Sequence, residues 1–208
     1  MNERVEESWR PMQANSGNEQ IPQPSALINF LTGWIRNPKT VGAIAPSGPA
    51  LSRTMAGLVD PSVEGPIVEL GPGTGPVTAA LLERGIHPSR LVLVEYDKDF
   101  CVTLRNKFPS VNVVQGDAFA LDATLQGHAG APVAAVVSSL PLLNFAQEQR
   151  QALIESAMRL LRPRSPFIQF TYGANSPLPV ESHLYETSAS RRIWWNLPPA
   201  RVWTYRAR

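Results

Sequence analysis

Glu69, Glu95 and Asp117 are the side chains whose type and spacing could do chemistry together. Glu69 stands in Ile67-Val68-Glu69-Leu70-Gly71-Pro72-Gly73-Thr74-Gly75, two residues before the first of three alternate glycines. Glu95 closes Leu91-Val92-Leu93-Val94-Glu95, and Asp117 follows Val111-Asn112-Val113-Val114-Gln115-Gly116. Each acid ends a run rich in aliphatic and β-branched residues, so each is expected at the carboxyl end of a buried strand. A carboxylate there can accept both hydroxyls of a ribose. Glycines 71, 73 and 75 let the backbone take positive φ and approach a ligand without a Cβ in the way. Taken singly, each acid also reads as a surface charge or a helix cap. Three in succession behind a glycine loop read as a nucleoside-cofactor site.

These residues need a scaffold of alternating strands and helices. Pro76 suits a first helical position, and the helix it opens turns unpaired N–H groups toward whatever sits above the loop. Strands are expected near 66–70, 90–95, 111–115, 132–138 and 165–171, and helices near 76–84, 98–107, 118–126 and 146–161. Repeated βα units imply a parallel sheet covered on both faces, with ligands at the carboxyl ends of its strands. Residues 183–195 and 200–206 suit antiparallel last strands joined by Asn196-Leu197-Pro198-Pro199. The expected architecture is α/β: a seven-stranded, mostly parallel sheet with helices on both faces. The glycine spacing differs from the Gly-x-Gly-x-x-Gly of nicotinamide and flavin folds. It resembles the first motif of the Rossmann-like, class I S-adenosylmethionine methyltransferases.

At 208 residues the chain fits one core, and its 43% hydrophobic content is that of a globular protein. Three parts are expected: a polar tail over 1–24, helices within 25–60, and the main domain over 61–208. A net charge of +2 does not by itself imply a nucleic-acid partner. Cys101 is the sole cysteine, which rules out a disulfide framework, and His87, His128 and His183 show no ligand spacing, so no metal is expected. No apolar run approaches the roughly 20 residues that span a bilayer, and residues 1–24 lack a signal-peptide core. A cytoplasmic protein is expected, with membrane contact open.

Residues 25–36 place Leu27, Ile28, Phe30, Leu31, Trp34 and Ile35 on one helical face. That face could pack on the core, or lie in a bilayer interface with Trp34 at headgroup level and Arg36 and Lys39 reaching phosphates. Ser47 or Pro49 opens a helix to about Leu58. The fourth strand runs into Ser138-Ser139-Leu140-Pro141-Leu142-Leu143-Asn144-Phe145, where the acceptor should meet the methyl donor. Enzymes that methylate amino groups on bases resemble one another here in carrying Asn or Asp, proline and an aromatic. Ser139 and Leu142 replace the amide and the aromatic, which suits a greasier substrate. Tyr172 ends the fifth strand on the same rim and could hold a cationic amine on its π face, or be a core tyrosine. The stretch from Thr187 onward carries five arginines, Trp194, Trp195, Trp203 and Tyr205 with no acid. This composition suits anionic headgroups or a nucleic-acid backbone, or a charged edge strand.

Taken together, residues 25–208 resemble the bacterial phospholipid N-methyltransferases that convert phosphatidylethanolamine to phosphatidylcholine. The resemblance rests on Glu69–Thr78, Leu91–Glu95, Val114–Ala118, Ser139–Phe145, Gln169–Gly173 and Asn196–Trp203. It implies S-adenosyl-L-methionine as cofactor and S-adenosyl-L-homocysteine as product. It implies Glu69, Gly71, Gly73, Thr74 and Gly75 at the methionine end, Glu95 at the ribose, and Asp117 with Ala118 at the adenine. Tyr96, Ser138 and Ser47 are counted as further cofactor contacts, and Ser139 and Tyr172 as catalytic residues. The family is peripheral to membranes, so Phe30, Trp34, Arg36, Lys39, Arg191 and Arg192 are expected to meet lipid at the inner face of the cytoplasmic membrane. A monomer acting on a lipid substrate, without nucleic acid, is the expectation. The rival is an adenine N6-methyltransferase of the ribosomal RNA dimethylase type, which shares the glycine loop and the Leu-Pro step.

Overall fold

A computed structural model describes residues 47–130, 132–180 and 182–208. The tail expected over 1–24, the helix expected over 25–36 with Phe30, Trp34 and Arg36, and Lys39 lie outside the described residues. Among the described residues, seven strands form one sheet: β1 (Ile67–Leu70), β2 (Leu91–Glu95), β3 (Asn112–Gln115), β4 (Ala135–Ser138), β5 (Pro166–Thr171), β6 (Tyr185–Ala189) and β7 (Arg201–Ala207). Their order is β3-β2-β1-β4-β5-β7-β6. The first five run parallel, and β7 is antiparallel to both β5 and β6.

The helices are α1 (Pro49–Gly57), α2 (Pro76–Glu83), α3 (Lys98–Lys107), α4 (Leu121–Thr124) and α5 (Gln147–Leu160). Every residue of β1 and β2 is buried, as expected of parallel strands covered on both faces. On one face Ile67, Leu91, Leu93 and Ile168 pack with Leu51 and Met55 of α1, Leu81 of α2 and Leu104 of α3. On the other, Val68, Leu70, Val92, Val136 and Phe167 pack with Leu121 of α4 and Leu153, Ile154 and Ala157 of α5. Alternation along each strand divides the side chains between these two cores.

Two expected elements differ in extent. The helix expected near 118–126 opens as a 3₁₀ turn, Ala118–Ala120, capped by the Asp117 carboxylate. Ala120 then leaves helical geometry (φ −106°, ψ 44°), and α4 starts afresh at Leu121. The strand expected over 183–195 stops at Ala189. At Ser190 the hydroxyl takes the N–H of Val202 at 3.0 Å, where regular pairing would use a carbonyl. The pairing resumes only at Ile193 and Ala200, whose N–H and C=O groups bond reciprocally and close a six-residue tip, 194–199.

Candidate active site

The chain leaves β1 toward β2 and β3 on one side and reaches β4 and β5 on the other. A crevice therefore opens above β1 and β4, where an open α/β sheet binds its ligands. Backbone bonds carry the ladder past the strand ends: Gly71 N–H to Val94 O (2.9 Å), Gly116 N–H to Glu95 O (3.0 Å) and Ser139 N–H to Leu70 O (2.9 Å).

The glycine loop needs its glycines. Gly71, Gly73 and Gly75 have φ of 64°, 56° and 79°. A Cβ on Gly71 would lie 2.8 Å from Leu140 Cδ2, and one on Gly75 would lie 2.5 Å from the Phe108 ring. A Cβ on Gly73 would point into open space, so the backbone is bare toward the crevice there. Thr74 is exposed, and its carbonyl accepts from Lys107 Nζ at 2.9 Å.

Glu69 and Glu95 lie on the same sheet face as α1, α2 and α3. Glu95 is almost fully buried. Its two oxygens accept the N–H groups of Gly73 and Asp97, each at 3.0 Å, so the acid braces the glycine loop against β2. Burial raises its pKa, and the backbone N–H bonds oppose that rise. Glu69 is wholly buried, and the Thr78 hydroxyl donates to its Oε2 at 2.7 Å. Its Oε1 is buried with no partner. Burial pushes its pKa up to about 8, the Thr78 hydroxyl opposing and the nearby Glu95 adding to the rise. A buried acceptor left open beside a bare glycine backbone suits a cationic ligand group. Asp117 is half-buried and accepts the Phe119 N–H at 2.8 Å, and Ala118 is buried behind it. Tyr96 is 41% exposed beside Glu95.

The other half of the crevice is apolar. Ser138 is buried on β4, in register with Leu70 and Gln169. Ser139 and Leu140 are half-buried and Leu143 is 50% exposed. Leu140 approaches Gly71 and Leu143 approaches Gly173, so this loop bridges the ends of β1 and β5. Gln169 pins it: Nε2 donates to the carbonyls of Leu140 and Phe170, both at 2.8 Å. Both amide protons are thus used, and the buried Oε1 has no partner. Tyr172 is half-buried and meets Phe170 edge-on with centroids 5.2 Å apart. Burial raises its hydroxyl pKa to about 12, opposed by a hydrogen bond to the Asn196 side chain.

Asn196 is the residue that local sequence reading missed. It is buried in the tip. Its Oδ1 accepts the Gly48 N–H at 2.9 Å and its Nδ2 donates to Pro198 O at 2.8 Å. Tyr172, the start of α1 and the 194–199 tip are thereby joined. Gly48 is the N-cap of α1, with Ser47 one residue outside it. The Ser47 carbonyl accepts from Ser52 Oγ at 3.2 Å. Arg192 donates to the Tyr172 carbonyl at 3.2 Å, and Arg191 is exposed. Among the described residues, no three of His, Cys, Asp or Glu gather as a metal site would require. No helix among them is long and apolar enough to cross a membrane.

A methyltransferase-domain family model matches residues 67–164, from β1 to just past α5. The ornithine lipid N-methyltransferase of Singulisphaera acidiphila is 34% identical over 146 residues, which cover 68% of this chain and 76% of that protein. The chain belongs to the class I S-adenosylmethionine-dependent methyltransferases. Ribosomal RNA small subunit methyltransferase A of Anaeromyxobacter dehalogenans is 35% identical over 132 residues, covering 59% of this chain but 45% of that protein. The O-methyltransferase from Bacillus cereus, solved with SAH, superposes with a TM-score of 0.62 at 16% identity, covering 91% of this chain and 94% of that one. That likeness confirms the Rossmann-like methyltransferase fold. S-adenosylmethionine is the cofactor. The unpaired Glu69 Oε1, the bare loop at Gly73 and the braced Glu95 fit a ligand with a cationic end and a ribose.

Proposed function

We propose that this methyltransferase acts on the amino group of a membrane lipid. Specifically, it methylates phosphatidylethanolamine and its mono- and dimethyl derivatives to phosphatidylcholine at the inner face of the cytoplasmic membrane. One observation carries this reading. The rim above β4 and β5 is built of Leu140, Leu143 and the Tyr172 ring, and its 139–142 stretch carries Ser139 and Leu142 where a base-methylating enzyme carries an amide or acid and an aromatic. The similarity to a lipid N-methyltransferase over most of its length supports it. The ribosomal RNA enzyme matches 59% of this chain but only 45% of its own length.

When bound, S-adenosylmethionine supplies a methyl group on a sulfonium. The chain's own residues orient and exclude water. Glu95 and the 71–75 loop would hold the ribose and methionine end, and Asp117 with Ala118 the adenine end. Gln169 fixes the Ser139–Leu140 loop against which the amine arrives. With a pKa near 12, the Tyr172 hydroxyl stays protonated at neutral pH. Tyr172 therefore holds the amine by its ring and phenol oxygen, while the proton passes to water or the lipid's own phosphate.

The test is transfer of labelled methyl groups to mixed liposomes containing phosphatidylethanolamine, with thin-layer separation of products. Ornithine lipid and ribosomal RNA serve as parallel acceptors. Mono-, di- or trimethylated phosphatidylethanolamine is the expected result. Label on ornithine lipid alone would keep the lipid class and replace the headgroup. Label on RNA alone would overturn the reading.

A further inference from the structure

The 194–199 tip carries the three most exposed large apolar side chains among the described residues: Trp195 (92%), Leu197 (84%) and Trp194 (71%). They are not a loose end. Ile193 and Ala200 clamp the base of the tip, and Asn196, between the exposed residues, turns inward to Gly48 and Tyr172. Holding Asn196 inside directs its neighbours out. Folding gains nothing from two indoles in water, and a rigid apolar prominence marks a contact surface.

The charges flanking it in sequence are of one sign. Arg191, Arg192 and Arg201 flank the tip, and no Asp or Glu occurs from Thr187 to Arg208. The Arg192 guanidinium lies 5.7 Å from the Trp194 ring centroid. Indoles prefer the headgroup level of a bilayer, and arginines beside them reach phosphates. Nucleic acid could use the arginines and tryptophans, but two indoles and a leucine standing out together between arginines match a headgroup layer over acyl chains better than a phosphate backbone.

We propose that residues 191–201 form a docking tip for anionic bilayers, inserting Trp194, Trp195 and Leu197 among the headgroups. Through Asn196 the inserted tip sets Tyr172 at headgroup depth. The inference deepens the proposed lipid methylation and rests on it for the amine that Tyr172 meets. The docking itself is read from the tip.

The experiment uses the full chain and vesicles of phosphatidylglycerol and phosphatidylcholine, which hold no proposed starting substrate. In a W9F/W34F background the remaining indoles are Trp194, Trp195 and the buried Trp203. Brominated acyl chains should quench and blue-shift their emission. In the otherwise native chain, W194A/W195A/L197A should lower vesicle affinity in sedimentation at least about tenfold, with unchanged cofactor affinity by calorimetry. R191Q/R192Q should flatten the dependence on phosphatidylglycerol fraction. Unquenched indoles, or a triple variant that sediments like the native chain, overturn the proposal. So does shielding from acrylamide in lipid-free buffer, which would mean cover by the chain itself or, if concentration-dependent, by a second copy. Retention on RNA in place of vesicles overturns it too. Docking without methylated lipid would sink the proposed reaction alone, and methylated lipid without quenching would sink the tip alone.

Discussion

On the β3-β2-β1 side of the crevice the candidate functional groups are carboxylates held largely by backbone N–H groups. Glu95 takes the N–H of Asp97, two residues on, and of Gly73 on the adjoining loop. Asp117 takes that of Phe119. On the β4-β5-β7 side they are leucines, a tyrosine ring and two amides, each joining a near carbonyl to a partner far along the chain. Gln169 bonds to Leu140, 29 residues away, and Asn196 to Gly48, 148 residues away. A half built from backbone N–H groups suits a cofactor common to many enzymes. A half built from long-range side-chain bonds can be re-cut for a different acceptor without disturbing it.

The largest expected break in this comparison is Glu95→Ala. It removes the proposed ribose partner and strands two N–H groups, so cofactor affinity should fall about 100-fold by calorimetry. Equal affinity would show that β2 does not carry the cofactor. Gly71→Ala strikes the seam, where a Cβ meets Leu140 at positive φ. It should cost about 1–3 kcal/mol in urea unfolding and lower cofactor affinity and turnover together. Loss of only one of the two would show the halves to be less joined than the contact implies. Tyr172→Phe belongs to one half alone: turnover should fall a few-fold while cofactor affinity holds. Unchanged turnover would remove the hydroxyl from the reaction.

The smallest effect is a pH slope. Folded Glu69 keeps its proton from its ordinary 4.5 up to about 8, whereas the unfolded chain has released it. The folded state thus binds more protons in that window, and the ligand-free protein loses stability as pH rises through it. Glu69→Gln should flatten the plot of melting temperature against pH between about 5 and 8. A slope as steep as the native one would assign it to other groups.

The same contrast explains what the sequence discloses. Glu69, Glu95 and Asp117 are legible because strand period, glycine spacing and strand-end acids are local patterns. The five parallel strands follow from the same periodicity. Asn196 and the unpaired Gln169 Oε1 leave no such mark. Asn196 matters through Gly48 and Tyr172, and nothing in Trp-Trp-Asn-Leu-Pro-Pro says which way each side chain turns. The early end of β6 is hidden likewise, because the Ser190 hydroxyl competes with the backbone only once β7 lies beside it.

The placing of β7 between β5 and β6 also bears on biogenesis. A nascent chain can pair β1 to β5 as each emerges from the ribosome. β6, made next, waits for β7, its partner among the described residues, which is still unmade. Until β7 arrives, β5 presents a bare edge through Phe167 and Ile168, both fully buried in the finished sheet. Such an edge invites pairing with other nascent chains. The strand made after β6 is therefore the one that covers the bare edge of β5.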